Sequence, residues 1–144
     1  MINWALAAVP VASLTGILPG AMKVSLMFKA GKPDNRKGRG NLEEFKTKMS
    51  KEDYEKAVRA SQAEANFHEN FPFYLGAVLA ANYSNVPKDW TATMALIWPV
   101  LRIFYNGFYI YGTTEFRSNM RSMFWILSLC TSWAMYIRAA LNAW

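Results

Sequence analysis

No charged residue occurs between Met1 and Met22, and this run begins the first of four apolar stretches long enough to cross a bilayer. A hydrocarbon core takes about 20 consecutive residues of helix, and stretches over residues 2–28, 54–81, 90–111 and 122–142 meet that length. The pattern predicts an all-α integral-membrane protein, a single four-helix bundle over residues 1–144 with a polar loop at 29–53. A soluble four-helix bundle needs a polar stripe along every helix, and the first and fourth stretches have almost none. Pro10 and the Pro19-Gly20 pair are expected bends in the first span, and Pro87 and Asp89 mark a short turn and helix start between the second and third. The stretch GKPDNRKGRGN over residues 31–41 reads as a mobile, glycine-rich loop.

The charges are unevenly placed. The net charge of +6 could suggest nucleic acid, but the excess lies beside apolar spans, where basic residues set membrane orientation. Nucleic acid is therefore excluded as a partner. Lys29, Lys32, Arg36, Lys37 and Arg39 follow the first span, only Lys88 follows the second, and Arg117 and Arg121 are read into the loop after the third. The positive-inside rule puts the first and third loops in the cytosol and both termini on the lumenal side. Trp4, Trp90 and Trp144 fall at the lumenal ends as an aromatic belt would, while Arg138 runs against the rule and is expected to snorkel outward. No positive segment precedes the first span, so it reads as a retained helix rather than a cleaved signal. Cys130 stands alone and cannot form an internal disulfide.

Polar groups at membrane depth are costly unless paired, so they point to function. At 100° per residue, Arg59, Gln62, Asn66, Glu69, Asn70 and Phe73 share one face of the second span, while Glu64 and His68 lie opposite and are spaced to pair with each other. One histidine beside one glutamate, without H-E-x-x-H, makes no metal site. In the third span Arg102, Tyr105, Asn106 and Tyr109 share a face. Arg102 lies about 18 Å along its helix from Trp90, and at that depth it requires either Glu69 or a bound carboxylate as its anionic partner. The span directions bring all these groups, with the start of the fourth span, to the cytosolic half of the bundle. A pocket there suits a soluble anionic ligand beside a lipophilic small-molecule substrate drawn from the bilayer.

The segment from Arg59 to Phe73, RASQAEANFHENFPF, resembles the second-helix signature of the membrane-associated proteins in eicosanoid and glutathione metabolism, the MAPEG family. The shared core is Asn-x-x-Glu-Asn/Tyr followed by an apolar run containing proline. Arg102, Tyr105 and Tyr109 are similar to the family's third helix, and Arg121-Ser122-Met123-Phe124-Trp125 to the Arg-Ser start of its fourth. The resemblance extends over essentially the whole chain and implies a microsomal glutathione transferase-like homotrimer in the endoplasmic reticulum, with sites between subunits.

By the same resemblance, glutathione is the cosubstrate, bound by Asn66, Glu69, Arg102, Tyr105 and Tyr109. Arg121 stabilises its thiolate, with Arg117 as the runner-up for that role. The implied activity is a transferase or peroxidase acting on a lipophilic electrophile or hydroperoxide. Gln62 departs from an arginine that binds a glutathione carboxylate, and Arg59, one turn earlier, can stand in for it. Glu64 departs from the usual His or Gln. These departures keep two alternatives open, a non-catalytic lipid-binding scaffold of the same fold and a specialised biosynthetic isomerase.

Overall fold

A computed structural model describes residues 2–143; Trp144, expected in the lumenal aromatic belt, lies outside the described residues. The described residues form five α-helices, α1 (Trp4–Ala30), α2 (Asn41–Glu44), α3 (Lys51–Tyr83), α4 (Lys88–Tyr111) and α5 (Glu115–Asn142), with a 3₁₀ segment (Asn35–Gly40) before α2. The four long helices pack on one another, α1 against α3 and α4, and α5 against α3 and α4. Helices α1 and α5 are long and apolar enough to cross a membrane. At 1.5 Å per residue α3 is about 50 Å long, well beyond a hydrocarbon core of about 30 Å, so its polar first turns have length to project past the lipid.

The distribution of side-chain size explains how the helices meet. Ala5, Ala8, Ala12, Gly16 and Gly20 line the buried side of α1, and Ala57, Ala60, Ala63, Ala77 and Ala81 that of α3. The buried side of α5 carries Ser128, Thr131, Ser132 and Ala139. Leu14, Ile17, Leu18, Val100, Ile103, Ile126 and Ile137 instead face outward. Large apolar side chains outside and small residues between helices are the arrangement expected in lipid, where close backbone approach drives association. Ser128 and Thr131 return their hydroxyls to the carbonyls of Trp125 and Ser128, 2.7 Å away in each case, which satisfies these groups without a polar partner across the interface.

Gly16 leaves room for the ring of Phe67; a Cβ there would collide with it. Phe67 stacks on Phe71 and meets Trp98 edge-on, and Trp98 stacks on Tyr74 at 4.3 Å between centroids. The Tyr74 hydroxyl donates to the Ala95 carbonyl at 2.9 Å. Because this aromatic cluster cannot shift as a unit, Gly16→Ala is expected to cost about 1–3 kcal/mol by overpacking. Thermal unfolding in detergent measures it, and an unchanged midpoint would mean that the Phe67 ring moves aside freely.

Contacts at the two ends fix the helix directions. Asn3 donates to Asn82 at 2.7 Å, tying the start of α1 to the end of α3. Near the other end Lys23 of α1 pairs with Glu64 of α3 at 2.7 Å, and Gly20 makes space for that carboxylate. Glu64 is therefore paired with Lys23 and not with His68, which is exposed and edge-on to Phe67. The partner comes from another helix, which spacing within α3 could not reveal.

Two connections differ from expectation. Thr114 caps α5 by accepting from the Arg117 backbone N–H, so the helix begins before its apolar run. Arg117 and Arg121 thus lie on the first two turns of α5 and not in a loop. The glycine-rich 31–41 segment, expected as an open loop, folds around a clip in which the Asn41 side chain accepts from the Asp34 N–H and donates to the Asp34 carbonyl. Arg36 grips the Asp34 carboxylate through Nε and Nη2, each at 3.0 Å, and this holds that carboxyl below its usual range. Phe45, just after α2, is buried beside Gly31.

Candidate functional site

The polar face of α3 meets the polar face of α4 in three successive contacts. Nearest the helix ends, Arg59 donates from Nε to the Ile110 carbonyl at 2.9 Å. One turn along, the Tyr109 hydroxyl donates to Gln62 Oε1 at 3.3 Å. Deeper still, Arg102 donates from Nη2 to Asn66 Oδ1 at 2.9 Å. The periodicity of the two helices sets this ladder, since residues three and four apart share a face.

Arg102 is 0% exposed. Its guanidinium lies 4.2 Å from the Tyr105 ring centroid and 5.5 Å from that of Trp98. Among the described residues it has no ion-pair partner, and its Nε and Nη1 have no hydrogen-bond acceptor. Of the two anionic partners that the sequence left open, Glu69 does not pair with Arg102 among the described residues; the guanidinium bonds to the neutral amide of Asn66. A buried guanidinium keeps its charge, and burying it with two of its nitrogens unmet is costly. Asn106 on the same face donates to the Thr15 carbonyl at 2.6 Å, while its own Oδ1 has no donor.

Asn66, Tyr105, Tyr109, Arg121, Ser122 and Trp125 line a cavity of about 180 Å³ between α3, α4 and α5. Arg121 lies over the Tyr109 ring at 4.7 Å and donates from Nη2 to Ser118 Oγ at 3.2 Å. The Trp125 indole N–H is buried and has no acceptor among the described residues. Ser122 and Trp125 were not singled out as site residues by the sequence reasoning. Ser122 is adjacent to Arg121 and Trp125 lies one turn beyond it, a spacing that could have found them.

The structure thus brings together Asn66, Arg102, Tyr105, Tyr109 and Arg121, with Gln62 at the rim. Glu69 and Gln62 are exposed on the outer side of α3. Arg59 and Arg117 belong elsewhere. Arg59 is held by Ile110 and lies 3.9 Å from Glu55, and Arg117 donates to the Tyr111 carbonyl at 2.8 Å. No group of three potential metal-ligating residues occurs among the described residues.

The family model that matches the chain is that of the MAPEG family, over residues 1–141. No curated protein and no solved structure matches it.

Proposed function

Because the chain belongs to the MAPEG family of integral-membrane proteins, we propose that it is a membrane-bound glutathione-dependent transferase or peroxidase. The observation that carries this reading is Arg102, fully buried against Asn66 and Tyr105 of the cavity lining, with Nε and Nη1 unmet among the described residues. An anionic, hydrogen-bonding ligand supplies what that guanidinium lacks. Glutathione fits the donor set, having two carboxylates, an amino group and a thiol. When bound, it supplies a sulfur nucleophile for a lipophilic electrophile or a hydroperoxide.

The chain's own residues divide the remaining work. Asn66 and Arg102 hold polar atoms of the peptide, and Glu69 accepts from its amino group. Tyr105 and Tyr109 wall the cavity, and Gln62 fixes the Tyr109 hydroxyl by accepting a hydrogen bond from it. Arg121 places a permanent positive charge at the cavity wall, which lowers a thiol pKa by favouring the thiolate. Its stacking over Tyr109 fixes the guanidinium plane. The lipophilic partner approaches from the bilayer.

A homotrimer of four-span subunits completes this picture. Glu69 lies near the midpoint of α3 and is exposed, so in an isolated subunit its carboxylate would face lipid at high cost. A neighbouring subunit over this face would remove that cost and place the site between subunits. The basic residues after α1 favour a cytosolic site with lumenal termini, and the endoplasmic reticulum is the proposed membrane.

The reading is tested with the detergent-solubilised protein and millimolar glutathione. Calorimetry should detect binding, and ultraviolet difference absorbance should report thiolate at neutral pH. Absence of both would end the transferase reading and favour a non-catalytic lipid-binding scaffold.

A further inference from the structure

Two arginines that the sequence assigned to the glutathione site face a different groove. Lys51, Lys56, Arg59 and Arg117 line a cavity of about 540 Å³ where the start of α3 meets the end of α4. Glu52 and Glu55 share the lining, so the groove keeps a net positive charge. Arg59 and Arg117 each spend one N–H on the terminal carbonyls of α4, which would otherwise be orphaned. Those bonds fix both guanidinium planes. The Lys56 ammonium sits 4.4 Å above the Tyr111 ring.

A second groove of about 340 Å³ runs down the outer side of α4 from this point, lined by Ile103, Phe104, Gly107 and Phe108 and sharing Tyr111 and Arg117 with the first. Phe104 and Phe108 both stack on Phe124 of α5, at 5.2 and 5.5 Å between centroids, so the aromatic wall is held in place. At Gly107 a Cβ would meet nothing within 4 Å; the missing side chain leaves the floor of the groove open. A basic groove thus continues directly into an apolar one, with Arg117 and Tyr111 at the junction.

We propose that these joined grooves bind one anionic phospholipid, its phosphate among Lys51, Lys56, Arg59 and Arg117 and an acyl chain along Gly107. Planar guanidiniums and ammonium groups together match a phosphate's oxygens. A soluble phosphate would use the basic groove alone and leave the apolar one without a role.

The test is native mass spectrometry of the purified full-length protein in detergent. Three probes are compared: dioctanoyl phosphatidic acid, dioctanoyl phosphatidylcholine and glycerol 3-phosphate. Phosphatidic acid should bind at least tenfold more tightly than either of the others. Lys51→Gln combined with Lys56→Gln, on the first turns of α3, should remove most of the preference over phosphatidylcholine. Gly107→Leu should weaken both lipids by filling the floor. Equal retention of the two lipids, or an unchanged preference in the lysine variant, would overturn the proposal. Glycerol 3-phosphate binding as tightly as phosphatidic acid would overturn it in favour of a soluble phosphate ligand. Should Gly107→Leu fail to fold, the lysine variant still decides the question.

Discussion

Arg121→Ala should abolish the glutathione thiolate absorbance at neutral pH while leaving most of the binding affinity. Arg121 lies at the cavity wall over Tyr109, and among the described residues its side chain hydrogen-bonds only to Ser118 of its own helix, so its removal takes away charge without breaking a hydrogen bond between helices. Loss of an electrostatic stabiliser at a developing or standing anion typically lowers turnover by about 100-fold or more. The sign of the pH effect follows from the charge. A nearby cation favours the thiolate and lowers the thiol pKa, so without it the pKa rises toward the free-thiol value of about 8.5. The ascending limb of the rate–pH profile should therefore move to higher pH, and activity should recover partly in alkaline buffer. Arg121→Lys keeps the charge and should retain part of the thiolate signal. An unchanged thiolate in Arg121→Ala would move the role to Arg117 or elsewhere.

Arg102→Met should separate binding from folding. Replacing an unpaired buried charge by an apolar side chain of similar length removes the cost of keeping that charge out of water. Against this, Asn66 would lose its donor, at about 1–3 kcal/mol. The midpoint of thermal unfolding without glutathione should therefore stay near that of the parent protein. Glutathione affinity should fall more than tenfold, since even one charge-assisted hydrogen bond contributes about 1.5–3 kcal/mol, and stabilisation by added glutathione should largely vanish. A sharp fall in the midpoint, with normal binding by the protein that remains folded, would make Arg102 a pin between α3 and α4 and remove the main support for the proposed function.

Local periodicity revealed the faces but not the partners. That Asn66, Arg102, Tyr105 and Tyr109 come together was legible because each lies on a polar stripe of its own helix. The bond from Arg102 to Asn66 was not legible because Asn66 and Glu69 are one turn apart on the same stripe, and the relative height of two helices is a tertiary quantity. Glu64 was assigned to His68 because its true partner, Lys23, comes from α1. The early start of α5 was hidden behind hydropathy. Its signal lay in capping chemistry, a threonine followed by an acidic residue, rather than in apolar content. The close approach of α1 to α3 at Gly16 and Gly20 was invisible for the same reason as the ion pair. Nothing along α1 alone says which helix its glycines touch.

The alanine seams between α1 and α3 invert the usual relation between side-chain size and tolerance. In a water-soluble core, trimming a large residue leaves a hole that no solvent fills well. Here the large residues point at acyl chains, a fluid that adapts to whatever shape it meets, so shortening Ile17 or Leu18 leaves no void. The seam positions have no such fluid beside them, and one added methylene has to be met by two backbones moving apart. The information that specifies this fold is therefore concentrated in its smallest residues.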